Sequence, residues 1–264
     1  MKLFISADIE GVAGVTRWEE TRTGGKGYEQ ACRQMTLETA AVCEAALEAG
    51  HCVTVRDGHG DACNIDARLL PRGVTLIRGW MASPASMMAG LGEGYDGVMY
   101  VGYHAPAGSD KSPLAHTISS SRFSRIWLNG RLASEFTLNS HWADASGIPS
   151  VFLSGDREIC KYAEAEYPGI HTFAVKEGIG GGTVSLHPED AAEQMKAAAA
   201  KALTELPPLR KMPEEYILEI QFASHIDARN AGWFPGAEMV DSHTVRYGAK
   251  NYYDVRVALN FMGG

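Results

Sequence analysis

The sequence has no surplus of positive charge, no long apolar run and little cysteine. Its 24 Lys and Arg stand against 32 Asp and Glu, a formal net charge of −8. Without a basic surplus there is no electrostatic footprint for a phosphate backbone or an anionic lipid surface, so neither nucleic acid nor membrane is expected as a partner. The apolar run at the N-terminus, from Leu3 to Ala7, is interrupted by Ser6 and ended by Asp8. That is far short of a secretory or membrane-spanning segment, and a cytoplasmic location is expected. The five cysteines, Cys32, Cys43, Cys52, Cys63 and Cys160, are an odd number and form no C-x-x-C pair. They suggest neither a disulfide framework nor a zinc ribbon. A G-x-S-x-G elbow and a Walker phosphate loop are also missing, and no cysteine stands in a nucleophile context, which disfavours serine and cysteine hydrolases.

What is present is ordinary globular material: 264 residues, 45% hydrophobic and 21% charged, enough to bury a sizeable core. Strand signals at 2–7, 52–55, 97–103 and 149–153 are separated by helical periodicity at 28–49, 135–145, 156–166 and 189–206. This alternation predicts an α/β fold built on a largely parallel sheet. Asn129-Gly130, between 125–128 and Arg131, predicts a tight type I′ hairpin, which makes the sheet mixed. Pro207-Pro208 to Pro213 reads as a linker. The chain 1–264 is therefore expected to be a single α/β unit with room for a smaller C-terminal subdomain after 207–213. Within that tail, 216–222 alternates as a strand, and Tyr253, Val255, Val257 and Leu259 suggest another. The glycine-rich stretch 178–183 reads as a flexible or ligand-covering loop, and Lys176 before it as a solvated side chain or a contact for a substrate carboxylate.

The residues able to do chemistry gather at strand ends. Asp8 and Glu10 are two apart beyond the first strand and share one side of an extended chain. Like charges so placed favour either full solvation or a cation between them. His59 and His104 follow two other strands, and open α/β sheets place ligand sites at such ends. Imidazoles and carboxylates together suit zinc and related divalent ions. His116, in a loop with no evident core duty, is a candidate proton carrier. Glu135 is either a first-turn helix acid or a further ligand.

In order, Ser6-Ala7-Asp8-Ile9-Glu10-Gly11, Asp57-Gly58-His59, Gly102-Tyr103-His104-Ala105, Ala115-His116-Thr117 and the block from Ser134 to Asn139 resemble the zinc-dependent D-aminopeptidases linked to a bacterial dipeptide-transport operon. The resemblance implies a three-layer α/β/α subunit with a large mixed sheet. It also implies two zinc ions per chain held by Asp8, Glu10, His59, His104 and Glu135, with His116 as the catalytic histidine. Short peptides carrying D-residues would be hydrolysed at the amino end by a metal-bound hydroxide, inside a decamer of two stacked rings. Gly58, where relatives often carry Ser or Ala, and the unmatched loop from Arg17 to Lys26 depart from the pattern and bear on substrate preference. The alternatives are a non-catalytic peptide-binding accessory protein of peptide transport with a structural metal site, and a dinuclear phosphoesterase.

Overall fold

Strand β1 (Lys2–Ala7) has every side chain from Leu3 onward buried, as expected of a central strand covered on both faces. It is an interior strand, third from one edge, of a seven-stranded sheet in the computed structural model, which describes residues 1–263. In chain order the sheet uses β1, β2 (Cys52–Asp57), β3 (Thr75–Ile77), β4 (Gly97–Tyr103), β7 (Ser150–Asp156), β8 (His171–Ile179) and β9 (Gly182–Ser185). Between them, the hairpin of β5 (Phe123–Leu128) and β6 (Arg131–Leu132) leaves for a second sheet. The main sheet runs β3-β2-β1-β4-β7-β8-β9, parallel except for β9, so it is mixed. After β1 the chain builds outward to β3 on one side, then crosses to build β4, β7 and β8 on the other. The reversal falls between β1 and β4, the crevice where doubly wound sheets bind ligands.

Helices close both faces. Helix α1 (Tyr28–Glu48) and α4 (Pro188–Ala202) pack on one through Met35, Val42, Met195 and Ala199. Helices α2 (Glu135–Ala145) and α3 (Arg157–Glu166) cover the other, where Phe136, Ile159 and Ala163 meet Phe4, Tyr100 and Leu153. The result is the three-layer α/β/α arrangement. Beyond α2 lies the second sheet, β11-β12-β10-β5-β6, formed from β5, β6, β10 (Tyr216–Phe222), β11 (Ala237–Met239) and β12 (Thr244–Ala249). It is covered by α5 (His225–Ala231) and α6 (Tyr252–Gly263).

Three expectations are corrected. The alternation at 253–259 belongs to helix α6, not to a strand: Tyr252, Val255, Arg256, Leu259 and Met262 are buried at three- and four-residue spacing, and Asn251 accepts the Asp254 N–H at the helix start. Stretch 178–183 is no covering loop; it is the turn and flanks of the β8–β9 hairpin. Lys176 is neither solvated nor placed to meet a substrate carboxylate. It is buried, and its ammonium donates to the carbonyls of Glu10 and Val15. The Asn129-Gly130 turn is as expected, with both residues at positive φ.

Candidate metal centre

The strand ends meet closely because two positions lack a side chain. A Cβ on Gly11 would overlap the Tyr103 carbonyl oxygen, and Gly102, at φ 73°, leaves room for the Asp8 carbonyl. The Gly11 N–H donates to the Gly102 carbonyl at 2.8 Å, drawing the loop after β1 onto the end of β4. Lys176 completes the clamp by holding the Glu10 carbonyl from below. Asp57, at the end of β2, accepts from the Asn64 and Ile65 backbone and the Asn64 amide. Asn64 in turn donates to the His59 carbonyl at 2.7 Å. Asp156 caps α3 through Ile159 N and takes the Ala105 N–H with its other oxygen, fixing the turn that carries His104. Glu135 opens α2, whose N-cap Ser134 is reciprocally bonded to Thr137.

These supports bring together all six residues expected from the sequence. Asp8 has a histidine on each side: His59 Nδ1 lies 3.2 Å from its Oδ1, and His104 Nε2 lies 3.4 Å from its Oδ2. Glu10 Oε2 is 3.0 Å from His59 Nδ1, and Glu135 Oε2 is 3.5 Å from His104 Nε2. His116 Nε2 is 3.6 Å from Glu135 Oε1, an oxygen already engaged by the Ile118 N–H at 2.7 Å. Its ring stacks on that of His104, with centroids 4.2 Å apart.

Each histidine has one ring nitrogen pinned to a backbone carbonyl: His59 Nε2 to Thr21 at 2.7 Å, His104 Nδ1 to Ala105 at 3.0 Å and His116 Nδ1 to Leu114 at 2.9 Å. A carbonyl only accepts, so these nitrogens carry the protons and the opposite nitrogens face the carboxylates. Metal-binding histidines are oriented in this way. Asp8 Oδ2, Glu10 Oε2 and His104 Nε2 are buried without a hydrogen-bond partner, an arrangement that a cation among them would satisfy. Two overlapping sets, Asp8-Glu10-His104 and His104-His116-Glu135, have donor atoms all within 4.8 Å of one another.

The electrostatics follow from burial and proximity. Burial alone would depress His59 and His104, but the carboxylates beside them prevail and hold both pKa values well above the usual histidine range. Burial alone would raise Asp8 and Glu135; the neighbouring histidines, His104 foremost, reverse this and hold both below the usual carboxylate range. Each carboxylate is thus stabilised by positive charge beside it, here the charged form of His59 and His104, a counter-charge that a bound cation would also supply.

A cavity of about 470 Å³ opens over the cluster. Its wall includes the short helical turn Trp18–Thr21, which lies in the loop that no sequence motif matched. Trp18 meets His116 edge-on at 5.2 Å, and the Arg22 guanidinium lies 5.7 Å above the Trp18 ring. Ile118 lines the same cavity at φ 65°, a left-handed conformation costly for a β-branched residue, held by its N–H bond to Glu135. The supporting roles of Thr21, Asp57, Asp156 and Lys176 escaped the reading of the sequence, which gave Lys176 a different part. The two aspartates stand at strand ends, the position from which such support is given.

The model of the family described as D-aminopeptidase matches residues 1–261. The chain belongs to the D-aminopeptidase family. The D-aminopeptidase of Bacillus subtilis (strain 168) is 30% identical over 268 residues, covering 99% of this chain and 96% of that relative. Among solved structures, the zinc-dependent D-aminopeptidase DppA from Bacillus subtilis, described as a self-compartmentalizing protease, superposes with a TM-score of 0.93 at 29% identity. The match covers 100% of this chain and 97% of the other. That solved relative thus shares with this chain the whole fold.

Proposed function

We propose that this protein is a zinc-dependent aminopeptidase that removes the N-terminal residue from short peptides, with D-residues preferred there. The observation that carries the proposal is the convergence of three buried carboxylates and two carbonyl-pinned histidines on one another at the floor of an open cavity. Asp8, Glu10, His59, His104 and Glu135 would hold two zinc ions; among them Asp8 presents its two oxygens to different histidines. Bound zinc supplies an acidified water and polarises the scissile carbonyl. The remaining chemistry belongs to side chains. His116, with Nδ1 committed to Leu114, keeps Nε2 free to take a proton from the attacking water and return it to the departing amine. Trp18 against its ring limits the orientations it can adopt. The acidic floor attracts the peptide's amino end and orients the first peptide bond beneath His116.

A non-catalytic accessory role is disfavoured because a structural metal site needs neither an open cavity nor a histidine poised beside the ligands. No helix among the described residues is long and apolar enough to cross a membrane, which fits the proposed cytoplasmic location. The relative's self-compartmentalizing character and the extent of the match support a homodecamer that encloses the sites, each subunit one α/β unit. A panel of D- and L-aminoacyl amides and dipeptides, assayed with zinc restored and after chelation, tests the activity. The expected result is zinc-dependent release of N-terminal D-residues; turnover unaffected by chelation, or none on any member, would refute it.

A further inference from the structure

A second cavity, of about 260 Å³, adjoins the one above the metal centre and shares Trp80, Ser86, Ile118 and Ser119 with it. The two differ in charge. The first is lined by Asp8, Glu10, Asp61 and Glu135. The second is lined by Arg122 and Arg256 and, among the described residues, by no carboxylate. Arg256 is 2% exposed, and its Nε and Nη2 donate to the carbonyls of Pro84 and Ala85, while Nη1 is buried without a partner. No carboxylate pairs with it among the described residues. Arg122 has a buried Nε with no partner, and its nearest acid, Asp227, is 3.9 Å from Nη2. Burying the Arg256 guanidinium without an anion is costly, and the chain as a whole has an acidic surplus from which a partner could have come; Arg122, 36% exposed and bordered by Asp227 at the edge of ion-pair distance, keeps donor capacity at the cavity wall. Phe123 and Leu259 add apolar wall.

We infer that this second cavity is the subsite for the carboxyl-terminal end of the peptide, whose free carboxylate is received by Arg122 and Arg256 while its terminal side chain packs on the apolar wall. The inference rests on the aminopeptidase function proposed above and adds to it the selection of free short peptides. A zwitterionic peptide then lies along a gradient of the protein's own charge, amino end on the acids and carboxylate on the arginines. The ridge of Ser86 and Ile118, both held at positive φ, lies between its two ends. The cavity takes one chain end, so the interaction selects against peptides with blocked carboxyl termini.

Tri-D-alanine and tri-D-alaninamide, compared on the zinc-loaded protein, test this. The unmodified protein should prefer the acid by at least about tenfold in KM, the scale of a charge-assisted hydrogen bond. In Arg122→Gln the preference should fall severalfold with kcat nearly unchanged. Arg256→Gln should behave alike but also loosens the Pro84 and Ala85 backbone, so Arg122→Gln is decisive. Arg22→Gln, which alters the one arginine lining the first cavity, should retain the preference. Equal KM for acid and amide in the unmodified protein, or a preference abolished by Arg22→Gln and kept by Arg122→Gln, would overturn the assignment. Calorimetric titration with analogues whose first peptide bond is reduced to CH2–NH makes the same comparison without turnover. Acid-selective binding in a protein that cleaves nothing would count against the peptidase function and not against the subsite.

Discussion

At the residue scale, chemistry and support separate. Asp8, Glu10, His59 and His104 are legible as a candidate centre because strand signals place them at the ends of three parallel strands, and a buried parallel sheet gathers such ends in one crevice. Glu135 stayed ambiguous in the sequence because a first-turn helix acid and a ligand look alike there. Only the fold shows its Oε2 turned to His104. Lys176 was misread because nothing local distinguishes a lysine that crosses the core to hold two carbonyls from one in solvent. His116 stands between roles: its Nε2 is within ligand reach of the second donor set, but the Glu135 oxygen it faces is taken by Ile118. Acting as the proton carrier, it should be dispensable for metal. His116→Ala is expected to retain zinc and substrate affinity while losing roughly a hundredfold or more in turnover, the scale of a lost general acid–base. Zinc analysis alongside kinetics would expose the error: a variant that loses an ion makes His116 a ligand, and one with full turnover makes it structural.

At the element scale, the parts with unambiguous punctuation were legible: β1, β4, β10 and α2 have the bounds their periodicity predicts. The last helix, α6, was misread because Tyr253, Val255, Val257 and Leu259 alternate by coincidence, while its buried set follows helical spacing. The second sheet was not legible as a whole, since it joins the β5–β6 hairpin to strands nearly a hundred residues later. Helix α2 links this sheet to the metal centre, with Glu135 at its start and His141 near its end. His141 donates Nδ1–H to the Thr137 carbonyl and stacks on Tyr252 of α6. Burial, reinforced by the charge of Arg210, pushes its pKa down to about 3 from an ordinary 6.5. Between those values the unfolded chain binds a proton that the native chain does not. The stabilisation is therefore full above about pH 6.5 and is lost as pH falls toward 3. Urea unfolding at pH 7.5 and pH 5 should show wild type losing about 1–2 kcal/mol more than His141→Gln, on the basis of a shift of this kind. Equal losses would mean that His141 titrates normally and that this end of α2 is open to solvent.

At the scale of the whole molecule, all five proposed ligands and His116 come from one chain, so the proposed chemistry draws on no residue of a second subunit. The proposed assembly would serve access instead: sites enclosed by a ring of subunits would admit short peptides and exclude folded proteins. Light scattering should give the mass of ten chains, and a monomer mass would remove enclosure from the account. The central claim, however, is the pair of ions at the crevice between β1 and β4. An anomalous difference map collected at the zinc edge, from crystals grown with zinc, tests it most directly. Two peaks are expected, both within about 2.0–2.2 Å of donor atoms drawn from Asp8, Glu10, His59, His104 and Glu135, with Asp8 contacting both and His116 contacting neither. A single peak, peaks elsewhere in the molecule, or none would contradict the dinuclear centre.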